Sequence, residues 1–173
     1  EWVAAMQADG YTQREIANGE EMMEAMQRAL SMGAEECVEP KIMFDGGTFD
    51  HMYGTSSEGQ IIDCETVRPL PVNTTGGIRI MNKKGHMLHD DLQLPKGWVN
   101  PYMKTILLSE SKLAEESQWQ FATVGARKLG MIPGERPFFA DSEGGVHYWP
   151  KHGRHHNEAT SAELNDFEYQ RIQ

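Results

Sequence analysis

Between Ile61 and Trp149 the chain never sustains an apolar run long enough for a buried helix. Short stretches such as Ile61-Ile62, Val67 to Val72, Ile78-Arg-Ile80 and Ile106-Leu-Leu108 are cut by Asn73-Thr-Thr-Gly-Gly77, Asn82-Lys-Lys-Gly85, Pro133-Gly134, Arg136-Pro137 and Glu143-Gly-Gly145. Reversal signals at such short intervals confine this region to brief strands. Ile78 and Ile80 flank Arg79, the period-two mark of a half-buried strand. Thr75-Gly76-Gly77 and Lys83-Lys84-Gly85 suit hairpin turns on either side of it. Met103 to Glu116 reads as a strand passing into a short helix.

The ends have helical texture, so the expected class is mainly β in the middle and α+β overall. Thr12-Gln-Arg-Glu15 has capping-box form, and Asn18 with Glu21 offers a second helix start. Met22, Met23, Met26, Ala29 and Leu30 recur at helical spacing, an adaptable packing face. Gly33 is a fitting helix stop, and the texture changes at Pro40. Gly10 to Ala17 resembles the first helix of helix-turn-helix domains, but the Glu-rich continuation supplies no basic recognition helix. These breaks divide the chain into an N-terminal helical segment (1–38), a β domain (39–149) and a polar His-rich tail (150–173).

The 173 residues suit one domain of ordinary size, and the formal net charge of -10 bears on partners. It argues against direct nucleic-acid binding, which needs a basic face, and against docking on an anionic membrane. The cysteines, Cys37 and Cys64, are too few for a disulfide scaffold and form no CxxC; they favour a reducing, intracellular compartment. The start at Glu1-Trp2 reads as a piece of something longer.

Lys41-Ile-Met-Phe44 leads straight into Asp45-Gly46-Gly47. A carboxylate on a tight glycine turn after an apolar strand is held on rigid backbone, with room for another molecule to approach. In aspartic proteases two such carboxyls share one proton, because both cannot ionise at hydrogen-bonding distance. This chain holds a single motif of this kind, so a dyad requires a homodimer with Asp45 of each copy on the two-fold axis.

The surroundings extend the match. Ile42-Met-Phe-Asp-Gly-Gly-Thr-Phe-Asp-His-Met52 resembles the start of the protease domain in copia-type retrotransposon polyproteins, an apolar strand followed by Asp-Ser-Gly-Ala-Ser/Thr-x-His-Met. Val72-Asn-Thr-Thr-Gly-Gly-Ile-Arg-Ile80 stands where that family has its flap hairpin. Tyr102-Met-Lys-Thr-Ile-Leu-Leu-Ser-Glu-Ser-Lys-Leu113 is similar to its Leu-Leu-Ser segment, and Trp149 to Glu158 to the box opening the pre-integrase region. The resemblance implies a retropepsin-like closed β-barrel or sandwich and an aspartic endopeptidase without cofactor or metal. Asp45 would be catalytic, Gly46, Gly47 and Thr48 the catalytic loop, and Thr75, Gly76 and Gly77 the flap. The implied partners are a peptide or polyprotein substrate and a second copy.

Departures from the pattern support an alternative, a non-catalytic structural or interaction subunit on the same fold that binds other subunits. Gly46 replaces the Ser or Thr whose hydroxyl braces the paired loops, and Pro150 replaces the first zinc histidine of the last box. A further alternative is a metal-dependent hydrolase. His86 and His89, beside Asp90 and Asp91, and His152 and His155, beside His147 and His156, are its weak ligand candidates. Trp98, Trp119 and Trp149 read as core or dimer interface, and Phe138-Phe139 as strand core.

Overall fold

The computed structural model describes residues 1–31, 41–74 and 76–171. Gly33, Cys37, Pro40 and the flap residue Thr75 lie outside the described residues. Helix α1 spans Trp2–Ala8 and α2 Gln13–Ser31. The capping box forms as expected: Thr12 N–H donates to Glu15 Oε1 at 3.0 Å and Glu15 N–H to Thr12 Oγ1 at 3.1 Å. The expected second start at Asn18 is not used, and α2 runs through it without a break.

The strands are β1 Ile42–Asp45, β2 Met52–Tyr53, β3 Ile61–Thr74, β4 Gly77–His89, β5 Leu92–Gln93, β6 Gly97–Val99 and β7 Ile106–Ser109. Helix α3, Glu110–Ser117, follows directly on β7. Then come β8 Gln120–Val124, β9 Arg127–Met131, β10 Phe138–Phe139, β11 Asp141–Glu143, β12 Val146–Tyr148 and helix α4, Ser161–Arg171. The strand-to-helix passage after Met103 is as the sequence predicts. Ser109 caps α3, its side chain accepting the Lys112 N–H.

Among the described residues, β11-β12-β1-β7-β2-β6-β4-β3 form a mixed sheet, with β5 added on β4, while β10-β9-β8 make a separate three-stranded sheet. The β1–β7 and β2–β6 pairs are parallel. The large sheet is open, which corrects the expected closed barrel. It ends at β11 on one side and β3 on the other. Pro69 and Pro71 lie in β3, and proline suits an edge strand because it has no N–H to offer a further strand.

The hairpin departs from expectation in three ways, the first being that β3 and β4 are not brief but 14 and 13 residues long. Lys83-Lys84-Gly85 is no turn; β4 continues through it, and Gly85 pairs with Gly97. Glycine is needed there because a Cβ would lie 2.5 Å from Ile61 Cγ2. Ile78 and Ile80 are not half-buried but exposed near the hairpin tip, at 40% and 39%.

One core cluster joins Met22, Ala25 and Ala29 of α2 to Met43, Met52, Leu70, Val72, Met81, Trp98 and Leu107. The N-terminal helix and the β region thus share one interior. A second cluster gathers Phe44, Ile106, Leu108, Leu113, Trp119, Phe138 and Trp149, the aromatic core foreseen from the sequence. Phe167 of α4 is fully buried with Ala122 and Leu129. Among the described residues no helix is long and apolar enough to cross a membrane.

Candidate functional site

Asp45 is the last residue of β1, paired in register with Ser109 at the end of β7. Parallel pairing fixes both strand ends at one level, so the turn after β1 lies beside the start of α3. Asp45 is 9% exposed, while Gly46 and Gly47 open to solvent. Its Oδ1 accepts the Gly47 N–H at 2.7 Å, which locks the carboxylate to its own turn. Its Oδ2 lies 3.1 Å from Arg28 Nη2, a cation near the end of α2.

Gly47 makes that approach possible, since a Cβ there would stand 2.9 Å from the guanidinium nitrogen. Gly46 has no such need: a Cβ would meet only Glu110 Oε2, at an ordinary 3.7 Å. Thr48 is buried, and its hydroxyl donates to the Asp50 carbonyl at 3.0 Å. Gly46, Gly47 and Thr48 follow Asp45 directly in the chain; the Gly47 N–H reaches its carboxylate, whereas the Thr48 hydroxyl turns to the Asp50 carbonyl.

Beneath the turn lies a set of residues to which the sequence reading gave no role. His51 is fully buried, and its Nδ1 accepts the Ser109 N–H at 3.0 Å, which leaves the ring proton on Nε2. Burial, with Lys112 and Lys84 nearby, lowers its pKa from 6.5 to about 4 although Asp50 opposes the shift. Ser109 Oγ donates to the Thr48 carbonyl at 2.7 Å, tying β7 to the Asp45 turn. Asp50, at 1% side-chain exposure, receives Lys84 Nζ at 3.0 Å and Lys112 Nζ at 3.1 Å. It also accepts the His51 N–H at 2.7 Å. His51 was legible as part of a motif; the Asp50–lysine cluster had no local signal, since its partners come from β4 and α3.

The flap candidates Gly76 and Gly77 form the tip of the β3–β4 hairpin, with Gly77 at φ +107° and Thr74 Oγ1 donating to the Gly77 carbonyl. A cleft of about 330 Å³ lies between this tip and α2, lined by Met23, Met26, Leu30, Arg79, Tyr102 and Met103.

The weak metal candidates do not converge. Among the described residues no group of three His, Cys, Asp or Glu is placed to hold an ion. His86 Nδ1 sits 3.0 Å from the Leu94 carbonyl, and His155 Nδ1 2.6 Å from Glu158. His89 packs edge-on against Trp149, and burial lowers its pKa. His152 faces His156 at 6.1 Å between rings. Asp90 is taken up by the Trp149 indole and the Arg154 backbone N–H, each at 2.8 Å. Burial raises its pKa, but those donors and the Arg154 guanidinium outweigh this and hold it below the usual carboxylate value.

Comparison with known proteins gives no match to a family model, a curated protein or a solved structure.

Proposed function

We propose that this chain is an aspartic endopeptidase of the retropepsin type, resembling the protease of copia-type polyproteins and working as a homodimer about Asp45. The observation that carries the reading is Asp45 itself. It sits at a strand end, its carboxylate is held by the backbone of an open glycine turn, and Thr48, His51 and Ser109 brace that turn from below. Rigid support of this kind is what a reacting carboxyl requires.

In the reaction the two Asp45 carboxyls share one proton. The ionised one takes a proton from water as the water oxygen adds to the peptide carbonyl carbon. The neutral one gives its proton to the carbonyl oxygen. Collapse of the tetrahedral adduct breaks the C–N bond, and the amine leaves with a proton returned from the dyad.

Cleavage of a fluorogenic peptide library at about pH 5 tests this. Asp45→Asn is expected to lower the rate by a hundredfold or more, roughly the scale of losing a general base. Undiminished cleavage by the variant would end the assignment.

A second reading rests on a specific observation too. Arg28 already occupies the outer oxygen of Asp45, as expected of a scaffold that keeps the fold and assembles with other subunits.

A further inference from the structure

Helix α2 leads from the hairpin to the Asp45 turn. Gly19 lies so close to Pro71 of β3 that a Cβ would stand 2.0 Å from the Pro71 carbonyl oxygen. Further along, Met22 Sδ lies 3.7 Å from Thr48 Oγ1, and Met26 Sδ 3.5 Å from Asn100 Nδ2. At Arg28 the helix reaches Asp45. From Gly19 to Arg28 a helix advances about 14 Å, so one straight element crosses the space between hairpin and carboxylate. An extended peptide lying under that hairpin, with its scissile bond at Asp45, needs the same space.

The carboxylate is closed as well as covered. Gly47 N–H holds Oδ1 and Arg28 holds Oδ2, so each carboxylate oxygen of Asp45, a residue only 9% exposed, already has one partner.

The Arg28–Asp45 contact differs in kind from the packing of Met22, Ala25 and Ala29, which α2 shares with the core. Asp50 is 1% exposed and has two lysines, a permanent buried cluster. Arg28 is 36% exposed, and an ion pair of that exposure is weak and exchangeable. The packing around it comes largely from methionines, whose flexible thioethers refill a space easily. Part of the cleft stays open between α2 and the hairpin tip, and Leu30 beside it is 60% exposed.

We propose that Arg28, near the end of α2, is an in-chain plug over Asp45, standing in place of the second carboxyl, with Met23 and Met26 lining the cleft beside it. This rests on reading Asp45 as the catalytic carboxylate. Activity then requires the Arg28 side chain to swing off Asp45 while Met22, Ala25 and Ala29 keep α2 packed on the core. The apparent affinity for substrate is reduced by the fraction of molecules in which Arg28 has moved aside.

The test compares the wild-type chain with Arg28→Ala, Arg28→Glu and Arg28→Lys, each made alone and again together with Asp45→Asn. The probes are the fluorogenic peptide library and a statine-containing hexapeptide, whose hydroxyl mimics the tetrahedral adduct. Arg28→Ala and Arg28→Glu should cleave about tenfold faster than the full chain and bind the statine peptide more tightly by a similar factor. Arg28→Lys should fall between them, and Asp45→Asn should remove every gain. Backbone amides of residues 28–31, at the end of α2, should exchange faster once the statine peptide is bound. Equal cleavage by all Arg28 variants, with α2 exchange unchanged on statine binding, overturns the plug and leaves the peptidase reading standing. Absence of both cleavage and statine binding in every variant overturns the peptidase reading, and the plug with it.

Discussion

Burial holds the His51 imidazole neutral down to about pH 4, against an ordinary value of 6.5. The unfolded chain accepts a proton throughout that window and the folded chain does not. This contribution to stability is therefore complete above about pH 6.5 and is lost as the pH falls toward 4. Between about pH 7 and pH 5 the loss amounts to roughly 2 kcal/mol. His51→Asn keeps an acceptor for the Ser109 N–H and removes the titration. Urea unfolding at the two pH values should show the wild-type midpoint dropping and the variant's dropping much less. Equal slopes would mean that another group carries the acid sensitivity. The consequence for the site is direct: His51 holds β7 to the Asp45 turn, so acid loosens the brace of the turn itself.

Helix α2 concentrates what was and was not legible at the scale of an element. Thr12 and Glu15 announce its start because a capping box is local in sequence, and the methionine spacing announces a packing face. The same local logic stands at Thr160 and Glu163, which form a second capping box at the start of α4. What α2 packs against is invisible locally. Gly19 reads as a weak point in a helix and proves to be a point of contact with Pro71, far along the chain. Gly19→Ala should raise intrinsic helix propensity by about 1 kcal/mol. The added methyl meets backbone rather than a flexible side chain, and forcing it in costs about 3 kcal/mol, so a net loss of about 2 kcal/mol is expected. A lower urea midpoint with helical circular dichroism retained would fit. A variant more stable than wild type would show that α2 does not press on β3.

At the scale of the molecule, the turns at Gly76-Gly77 and Glu143-Gly-Gly145 separate strands as read, but β4 runs straight through Lys83-Lys84-Gly85, and sheet closure depended on features with no sequence signature. Asp45 and its turn were legible because strand, carboxylate and glycines are consecutive. Arg28, Asp50, Lys84 and Lys112 were not, because each finds its partner only after folding. Charge enters here as well. A dyad needs two copies, each with a formal net charge of -10, and their mutual repulsion opposes assembly. Salt screens that repulsion, with a Debye length of about 8 Å at about 0.15 M. If the active species is a homodimer of the Arg28→Ala form, its specific activity should rise with protein concentration, and the apparent dimerisation constant should tighten several-fold between about 0.02 and 0.3 M salt. Sedimentation equilibrium should give the same constant as the concentration dependence of cleavage. Specific activity independent of concentration in a species that sediments as a monomer would exclude paired Asp45 carboxyls, since the second carboxyl has no other source in the proposed mechanism. A salt effect in Arg28→Ala cannot come from weakening the Arg28–Asp45 pair, because the variant has already removed it.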